Sequence, residues 1–170
     1  ASPLPPTAHR VASSRERASS VDVLVYGATP GGIIAALAAR RAGASVELVE
    51  PTARVGGMFA AGMVDDSNEG NSRAYGGLPA EFFRRVAAEY GVTNASCFKG
   101  EPRVAERVFR SWLAAEGVAL STGQAVAELQ ATTSGAHRLI EAATLAPSGR
   151  RIAAKQFVDA SYEGDLLPLA

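Results

Sequence analysis

The sequence is poor in the residues that build metal centres and disulfide frameworks. Cys97 is its only cysteine, and His9 and His137 are its only histidines. A single cysteine excludes an internal disulfide, and two scattered histidines do not make a metal-binding pattern. We therefore predict no metal site, and we expect Cys97 to be a small core or loop residue rather than a redox thiol.

An excess of one charge and a long apolar run are also missing. The 17 basic residues balance the 17 acidic ones, so nothing indicates a surface for nucleic acid or an anionic membrane. No apolar run approaches the roughly 20 residues of a membrane-spanning helix. With 47% apolar and 20% charged residues, we expect a soluble globular protein. It would be cytoplasmic, or exported after removal of a segment before Ala1.

The chain divides into a short tail and one domain. Residues 1–20 are rich in proline and serine without apolar periodicity, which predicts a flexible tail. Residues 21–170 are long enough to form one domain with a real core.

The most informative stretch predicts a strand, a glycine turn, a helix and a second strand. Residues 21–26 are apolar and β-branched, as in a buried parallel strand, and Gly27 follows where the chain must turn. Residues 31–42 are rich in alanine and predict a helix. Residues 45–49 form the second strand, with Glu50 at its carboxyl end.

This pattern is typical of a dinucleotide-binding site. Backbone N–H groups at a helix N-terminus favour a pyrophosphate, and glycines let it approach. Glu50 follows Gly32 at about the spacing that brings a carboxylate to a ribose hydroxyl. Thr29 stands where the fingerprint has its middle glycine after Gly27; it adds bulk, but its hydroxyl can donate to a phosphate. Pro30 suits the first turn of the helix. The alternative is a strand–helix–strand unit whose glycines serve only tight packing.

A glycine-rich segment follows the acid. Gly56 and Gly57 would let the backbone run close to a ligand. Arg54 could pair with a phosphate. Met58, Phe59 and Met63 make this segment apolar, which favours a path along a flat ring such as a flavin over an ordinary surface loop. The polar residues 65–71 lack the spacing of a calcium loop and predict a polar turn.

Two helices and a set of strands complete the chain. We predict helices over residues 78–90 and 102–116, the second with Trp112 in the core, whereas Arg103 and Arg107 are solvated charges or anion contacts. A short strand at 118–120 precedes three strands in an antiparallel meander, at 125–132, 138–145 and 151–158. A plain NAD-binding domain would alternate strands and helices there, so the meander argues against a standard NAD dehydrogenase.

An acidic turn follows the last strand. If that strand is parallel to the first, the turn faces the same crevice as the glycine turn. Asp159, Glu163 and Asp165 are therefore candidate site residues, unless they form an ordinary acidic turn.

Together these motifs resemble the FAD-dependent oxidoreductases of the glutathione-reductase-like superfamily. The resemblance covers residues 21 to about 167. It rests on Tyr-Gly-Ala-Thr-Pro-Gly-Gly at 26–32, Glu50, Arg-Val-Gly-Gly-Met at 54–58, Tyr-Gly-Gly-Leu at 75–78, Glu-Pro-Arg-Val-Ala-Glu at 101–106 and Asp-Ala-Ser-Tyr-Glu-Gly-Asp at 159–165.

The resemblance implies a Rossmann-like α/β fold with an inserted antiparallel meander, and FAD as the cofactor. Gly27, Thr29 and Gly32 would surround the pyrophosphate, and Glu50 would bind the adenosine ribose. The expected cofactor-binding residues are Gly27, Ala28, Thr29, Pro30, Gly31, Gly32, Glu50, Pro51, Arg54, Gly56, Gly57, Met58, Asp159, Ala160 and Asp165. No catalytic base can be named.

Members of this group are much longer and carry a substrate domain that this sequence lacks. We therefore predict the FAD-binding portion of an enzyme that transfers hydride between a substrate and FAD, completed by a second chain or a C-terminal segment. One alternative is an NAD(P)-binding module, although Glu50 would repel the 2′-phosphate of NADP. The other is a non-catalytic fragment or subunit that needs a partner chain.

Overall fold

The computed structural model describes residues 19–62, 75–93 and 100–170. The predictions for the tail up to residue 18, for Met63, for the polar segment 65–71 and for Cys97 lie outside these residues.

The described residues form six strands and four helices, and they begin with the strand–helix–strand unit of a Rossmann-like fold. In chain order they are β1 (Ser19–Tyr26), α1 (Pro30–Arg41), β2 (Val46–Glu50), α2 (Gly57–Ala60), α3 (Gly77–Ala88), α4 (Pro102–Ala115), β3 (Ala119–Thr122), β4 (Ala125–Ser134), β5 (His137–Ala146) and β6 (Arg151–Asp159). A 3₁₀ turn, Leu167–Leu169, follows. In the described part of the chain, no helix has the length and apolar character to cross a membrane.

All six strands form one mixed sheet in the order β3-β2-β1-β6-β5-β4. Strand β1 is parallel to β2 and β6, and β2 is parallel to β3, whereas β4, β5 and β6 form an antiparallel meander. The predicted fold class, a parallel sheet with an antiparallel meander, is therefore confirmed. The last strand of the meander returns to the centre of the sheet beside β1.

The register aligns the carboxyl ends of the central strands. Tyr26 at the end of β1 pairs with Val49 on one side and with Asp159 on the other. The segments that leave β1, β2 and β6 therefore emerge side by side at one edge of the sheet, which is where open α/β sheets bind ligands.

The predicted helices and strands are present, with ends that shift by a few residues. The exception is α2, which was expected to be part of a loop. Gly56 has φ +108° and turns the chain into this single helical turn. A helix of four residues is too short to leave an apolar periodicity in the sequence.

Two apolar cores cover the two faces of the sheet. On one face, α1, α3 and α4 pack over residues such as Leu48, and Trp112 and Phe109 are fully buried there. The prediction that Trp112 belongs to the core is confirmed. On the other face, β4 and β5 cover Tyr26 and Val49. Both faces of β2 are thus buried, as its continuous apolar composition predicts.

Candidate functional site

A cleft of about 280 Å³ opens at the carboxyl edge of the sheet, above the ends of β1, β2 and β6. Three segments that are far apart in the sequence form its walls: the β1–α1 turn, the segment after β2 and the turn after β6. The lining residues are Gly27, Thr29, Glu50, Pro51, Thr52, Arg54, Gly57, Ser161, Tyr162, Glu163 and Asp165. The acidic turn after β6 therefore faces the glycine turn.

Two glycines of the β1–α1 turn allow these segments to pack closely. Gly27 has φ +97°, and a Cβ at this position would lie 2.8 Å from the Ser161 nitrogen. A Cβ on Gly32 would lie 2.0 Å from the Gly27 carbonyl oxygen and 2.9 Å from the Ala160 Cβ. Since real Cβ atoms do not approach other atoms so closely, only glycine fits either position.

Thr29 links this turn to α1 and to the turn after β6. It is the N-cap of α1, and its Oγ1 accepts a hydrogen bond from Gly32 N–H at 3.1 Å. The same hydroxyl donates to the Ala160 carbonyl at 2.9 Å. A hydroxyl has one proton to donate, and in this structure the Thr29 proton goes to Ala160 and not to the expected phosphate.

The first turn of α1 contains one backbone donor that has no partner within residues 19–62, 75–93 and 100–170. Pro30 has no N–H, Gly32 donates to Thr29, and Ile33 donates to the Thr29 carbonyl at 2.9 Å. The Gly31 N–H has no acceptor among the described residues. The positive end of a 12-residue helix thus retains an unpaired donor beside the cleft.

Glu50 is a buried acid, only 8% exposed, that joins β2 to the glycine turn. Its Oε2 accepts from Ala28 N–H at 2.8 Å. Its Oε1 accepts from the backbone N–H of Thr52 at 2.8 Å and from the Thr52 hydroxyl at 2.7 Å. Since a carboxylate offers about four acceptor positions, one position on Oε2 stays available.

The segment after β2 is held against the β1–α1 turn and α4. Gly56 N–H donates to the Ala28 carbonyl at 2.7 Å. A Cβ on Gly56 would lie 2.7 Å from the Ala60 Cβ and 2.9 Å from the ring of Phe109, so this glycine serves helix packing. Arg54 is exposed at the rim of the cleft and forms no ion pair within the described residues.

Asp159 organises the turn after β6 from inside. Its Oδ1 accepts from the backbone N–H and the hydroxyl of Ser161, at 3.0 and 2.7 Å, and its Oδ2 accepts from Leu166 N–H at 2.8 Å. Ser161 Oγ in turn accepts from Asp165 N–H at 2.9 Å. Asp159 thus shapes the turn, while Glu163 and Asp165 line the cleft.

Carboxylates dominate the charge at this edge of the sheet. Burial, reinforced by the negative charges of Asp165, Glu50 and Asp159, raises the pKa of the Tyr26 phenol at the end of β1. Carboxylates accept hydrogen bonds from hydroxyl groups, whereas the helix N-terminus favours an anion. The cleft, together with the adjoining start of α1, therefore offers both types of contact.

Sequence reasoning missed Tyr162. Its side chain lies at the cleft, and its hydroxyl accepts a hydrogen bond from Met58 N–H at 2.8 Å, across 104 residues of sequence. Nothing in the local pattern of residues 159–165 indicates which of them reaches the segment after β2. Thr52, the partner of Glu50, was also missed.

Other expected site residues lie outside the cleft lining. Ala28 is fully buried, and Gly32 and Ala160 form the packing beneath the turn. Pro30 and Gly31 line a second, apolar cavity of about 320 Å³ instead. The remaining lining residues of that cavity are Ile34, Phe59, Tyr75, Pro79, Phe82, Phe83 and Phe109.

The two arginines of uncertain role are both paired. Arg103 donates to Glu101 at 2.5 Å, and Arg107 donates to Glu89 at 2.5 Å. Both arginines lie on α4 and both pairs are well exposed, so these are solvated face charges in this structure.

The chain was compared with models of protein families. A family model described as FAD dependent oxidoreductase matches residues 22–170, which is most of the chain. Comparison with curated protein sequences gives no significant match.

Solved structures share the fold. L-proline dehydrogenase from P. horikoshii is 13% identical, with a TM-score of 0.60 over 88% of this chain and 55% of that one. L-amino acid deaminase from Proteus vulgaris is 16% identical, with a TM-score of 0.58 over 86% of this chain and 48% of that one. THI4 from Thermovibrio ammonificans is 17% identical, with a TM-score of 0.56 over 84% of this chain and 57% of that one. At these identities the likeness shows the fold alone, and this chain spans about half the length of those proteins.

Proposed function

Because the chain belongs to the FAD dependent oxidoreductase family, we propose that the cleft at the carboxyl edge of the sheet holds the FAD. The family match makes FAD the cofactor and does not favour an NAD(P)-binding module. The proposal rests chiefly on the meeting of the glycine turn, Glu50 and the acidic turn in one cleft. Residues 21–170 would form the FAD-binding unit.

The pyrophosphate would lie at the start of α1. Gly31 N–H is an unpaired donor there, and the helix dipole favours an anion. Gly27 provides room for the approach, and Thr29 and Pro30 hold the first turn in position. Gly32 and Ala28 would act by packing beneath this turn.

The adenosine ribose would lie against Glu50. The open acceptor position on Oε2 suits one ribose hydroxyl, and the bonds from Ala28 and Thr52 fix the carboxylate in place. A 2′-phosphate would meet the negative charge of Glu50, which supports FAD over NADP. Pro51 lies beside this acid in the lining of the cleft.

The rest of the cofactor would pass between Gly57 and the turn after β6. Gly57 lines one wall of the cleft, with Gly56 and Met58 as its neighbours in the chain. Asp165 lines the other wall, in the turn that contains Ala160 and whose shape Asp159 fixes. Asp165 is exposed in the cleft and suits a hydroxyl of the cofactor's sugar chain, while Arg54 at the rim suits a phosphate oxygen.

The proposed reaction is hydride transfer between a substrate C–H bond and FAD, whose ring system supplies the electron-accepting chemistry when bound. The residues of this chain would bind the cofactor, fix its orientation and surround its phosphates with backbone donors. None of the lining residues is assigned as a catalytic base.

We also propose that the substrate site is formed with protein beyond this chain, from a second chain or a further segment. The support is length, because the chain spans 48–57% of the structures compared. The proposal would be supported if a second polypeptide co-purified with this chain and the complex reduced its flavin when substrate was added. Substrate turnover by the 170-residue chain alone would overturn it.

Cofactor binding is tested by titrating the purified chain with FAD and following flavin fluorescence. We expect FAD to bind and ADP to compete, because ADP carries the pyrophosphate and the ribose that the cleft would hold. NADP should compete less than NAD. Failure of both FAD and ADP to bind would overturn the proposal.

A further inference from the structure

We infer that Tyr162 is a positioning residue for FAD, oriented by Met58 N–H so that its own hydroxyl proton faces an acceptor oxygen of the cofactor. This inference rests on the proposed cofactor site.

The contact between Tyr162 and Met58 ties two walls of the cleft together. Met58 N–H donates to the Tyr162 hydroxyl at 2.8 Å. Met58 belongs to the segment after β2, and Tyr162 belongs to the turn after β6. The hydroxyl therefore sets the separation of these segments where the proposed cofactor passes between them.

Tyr162 has a rigid base and an exposed ring. Asp159 and Ser161 fix the backbone on one side of Tyr162 through hydrogen bonds of 2.7 to 3.0 Å, while 51% of the residue is exposed. A side chain that is anchored at its base and bonded at its tip loses little further freedom when a ligand arrives. It is thus preorganised to contact that ligand.

Gly57 provides the space for the phenol. A Cβ on Gly57 would lie 2.2 Å from the Tyr162 hydroxyl and 3.1 Å from the adjacent ring carbon. Gly57 also has φ +51°, a conformation that residues with a Cβ adopt rarely. The close approach of Tyr162 to the backbone therefore depends on a glycine at this position.

The Tyr162 hydroxyl proton has no bonding partner in the part of the chain that the structure describes. The hydroxyl accepts from Met58, and it has no acceptor for its own proton among the described residues. A phenol that accepts one hydrogen bond can still donate one. The chemistry in reach is a phosphate or a sugar oxygen of FAD, and a charged acceptor gives the stronger bond.

The test compares Tyr162→Phe with Tyr90→Phe. Tyr90 also accepts a backbone N–H, from Glu101 at 2.9 Å, and it is 41% exposed, but it lies away from the cleft. Both variants lose a phenol hydroxyl bound to a backbone donor. We expect Tyr162→Phe to weaken FAD binding about tenfold and Tyr90→Phe to leave it unchanged, with similar thermal unfolding midpoints for both variants.

Titration with ADP identifies the oxygen. If Tyr162→Phe weakens ADP and FAD equally, the acceptor is on the pyrophosphate; if it weakens FAD alone, the acceptor is on the sugar chain of the flavin half. Either result supports the inference. Equal FAD affinity of the wild type and Tyr162→Phe overturns it, whereas a wild type that binds neither ligand overturns the proposed cofactor site itself.

Discussion

Glu50 accepts a hydrogen bond from the Ala28 backbone N–H at 2.8 Å, which joins the end of β2 to the glycine turn after β1. One carboxylate therefore fixes the shape of the turn and keeps an acceptor position toward the cleft. If the cleft holds FAD as proposed, Glu50 couples the shape of the glycine turn to cofactor binding.

Replacing Glu50 with Gln should impair both properties. The amide nitrogen cannot accept from Ala28 or Thr52, so we expect a loss of about 1–3 kcal/mol in the free energy of unfolding and FAD binding that is weaker by about tenfold or more. Chemical denaturation and FAD titration measure the two effects.

Glu47→Gln is the matched control for this change. Glu47 is also buried in β2, at 4% exposed, but its carboxylate pairs with Arg150 and lines a different cavity. The Glu47→Gln variant should be less stable than the wild type and should keep its affinity for FAD. An equal loss of affinity in both variants would contradict a specific role for Glu50.

Thr29→Ala should destabilise the protein through two lost bonds. The side chain caps α1 and donates to Ala160, so we expect a loss of about 1–2 kcal/mol in the free energy of unfolding. Thr29→Ser should recover most of this loss, because it keeps the hydroxyl. Thr133→Ala, at an exposed position in β4, should have little effect in the same denaturation experiment.

Gly57→Ala should abolish flavin retention. The new Cβ combines strain at φ +51° with a 2.2 Å approach to the Tyr162 hydroxyl. Gly77 has a similar φ of +54° with nothing within 4 Å of an added Cβ, so Gly77→Ala isolates the backbone strain. The absorption spectrum after reconstitution with FAD separates the two variants. Retained flavin in Gly57→Ala would show that the Tyr162 contact is dispensable.

Glu81 makes stability sensitive to acid. The Arg41 guanidinium, which donates to Glu81 at 2.8 Å, together with Arg85, lowers the pKa of Glu81 from its ordinary 4.5 to about 2. A carboxyl whose pKa falls on folding stabilises the protein above pH 4.5, and this stabilisation is lost as the pH falls toward 2.

The free energy of unfolding should therefore decrease between pH 4.5 and 2, with Glu81 contributing on the order of 1 kcal/mol. Glu81→Gln should flatten this part of the profile, measured by denaturation at a series of pH values. Glu128→Gln, at an exposed position in β4, should not. Parallel profiles for the wild type and Glu81→Gln would contradict the assignment.

Local patterns predicted the elements well where they were long. The apolar run before Gly27 and the alanine-rich residues after it led directly to β1 and α1, and Trp112 was correctly expected in the core. The four-residue helix α2 was missed because it is shorter than the period by which a helix is recognised.

The site was only partly predictable. The expected facing of the glycine turn and the turn after β6 followed from the topology of parallel strands, and the structure bears this out. The partners of individual side chains did not follow from it. The Thr29 hydroxyl donates a hydrogen bond to the Ala160 carbonyl, so its proton does not face the cleft. The Asp159 carboxylate accepts hydrogen bonds from Ser161 and Leu166 within its own turn.

The sequence by itself determined the order of the strands and of the longer helices, the glycine turn and the acid at the end of β2, because these depend on residues close together in the chain. Only the tertiary structure decided that β6 lies beside β1 and that Tyr162 reaches Met58. Such contacts depend on the sheet register and on the packing of segments that are far apart in the sequence, 104 positions in the case of Met58 and Tyr162, which no local pattern encodes.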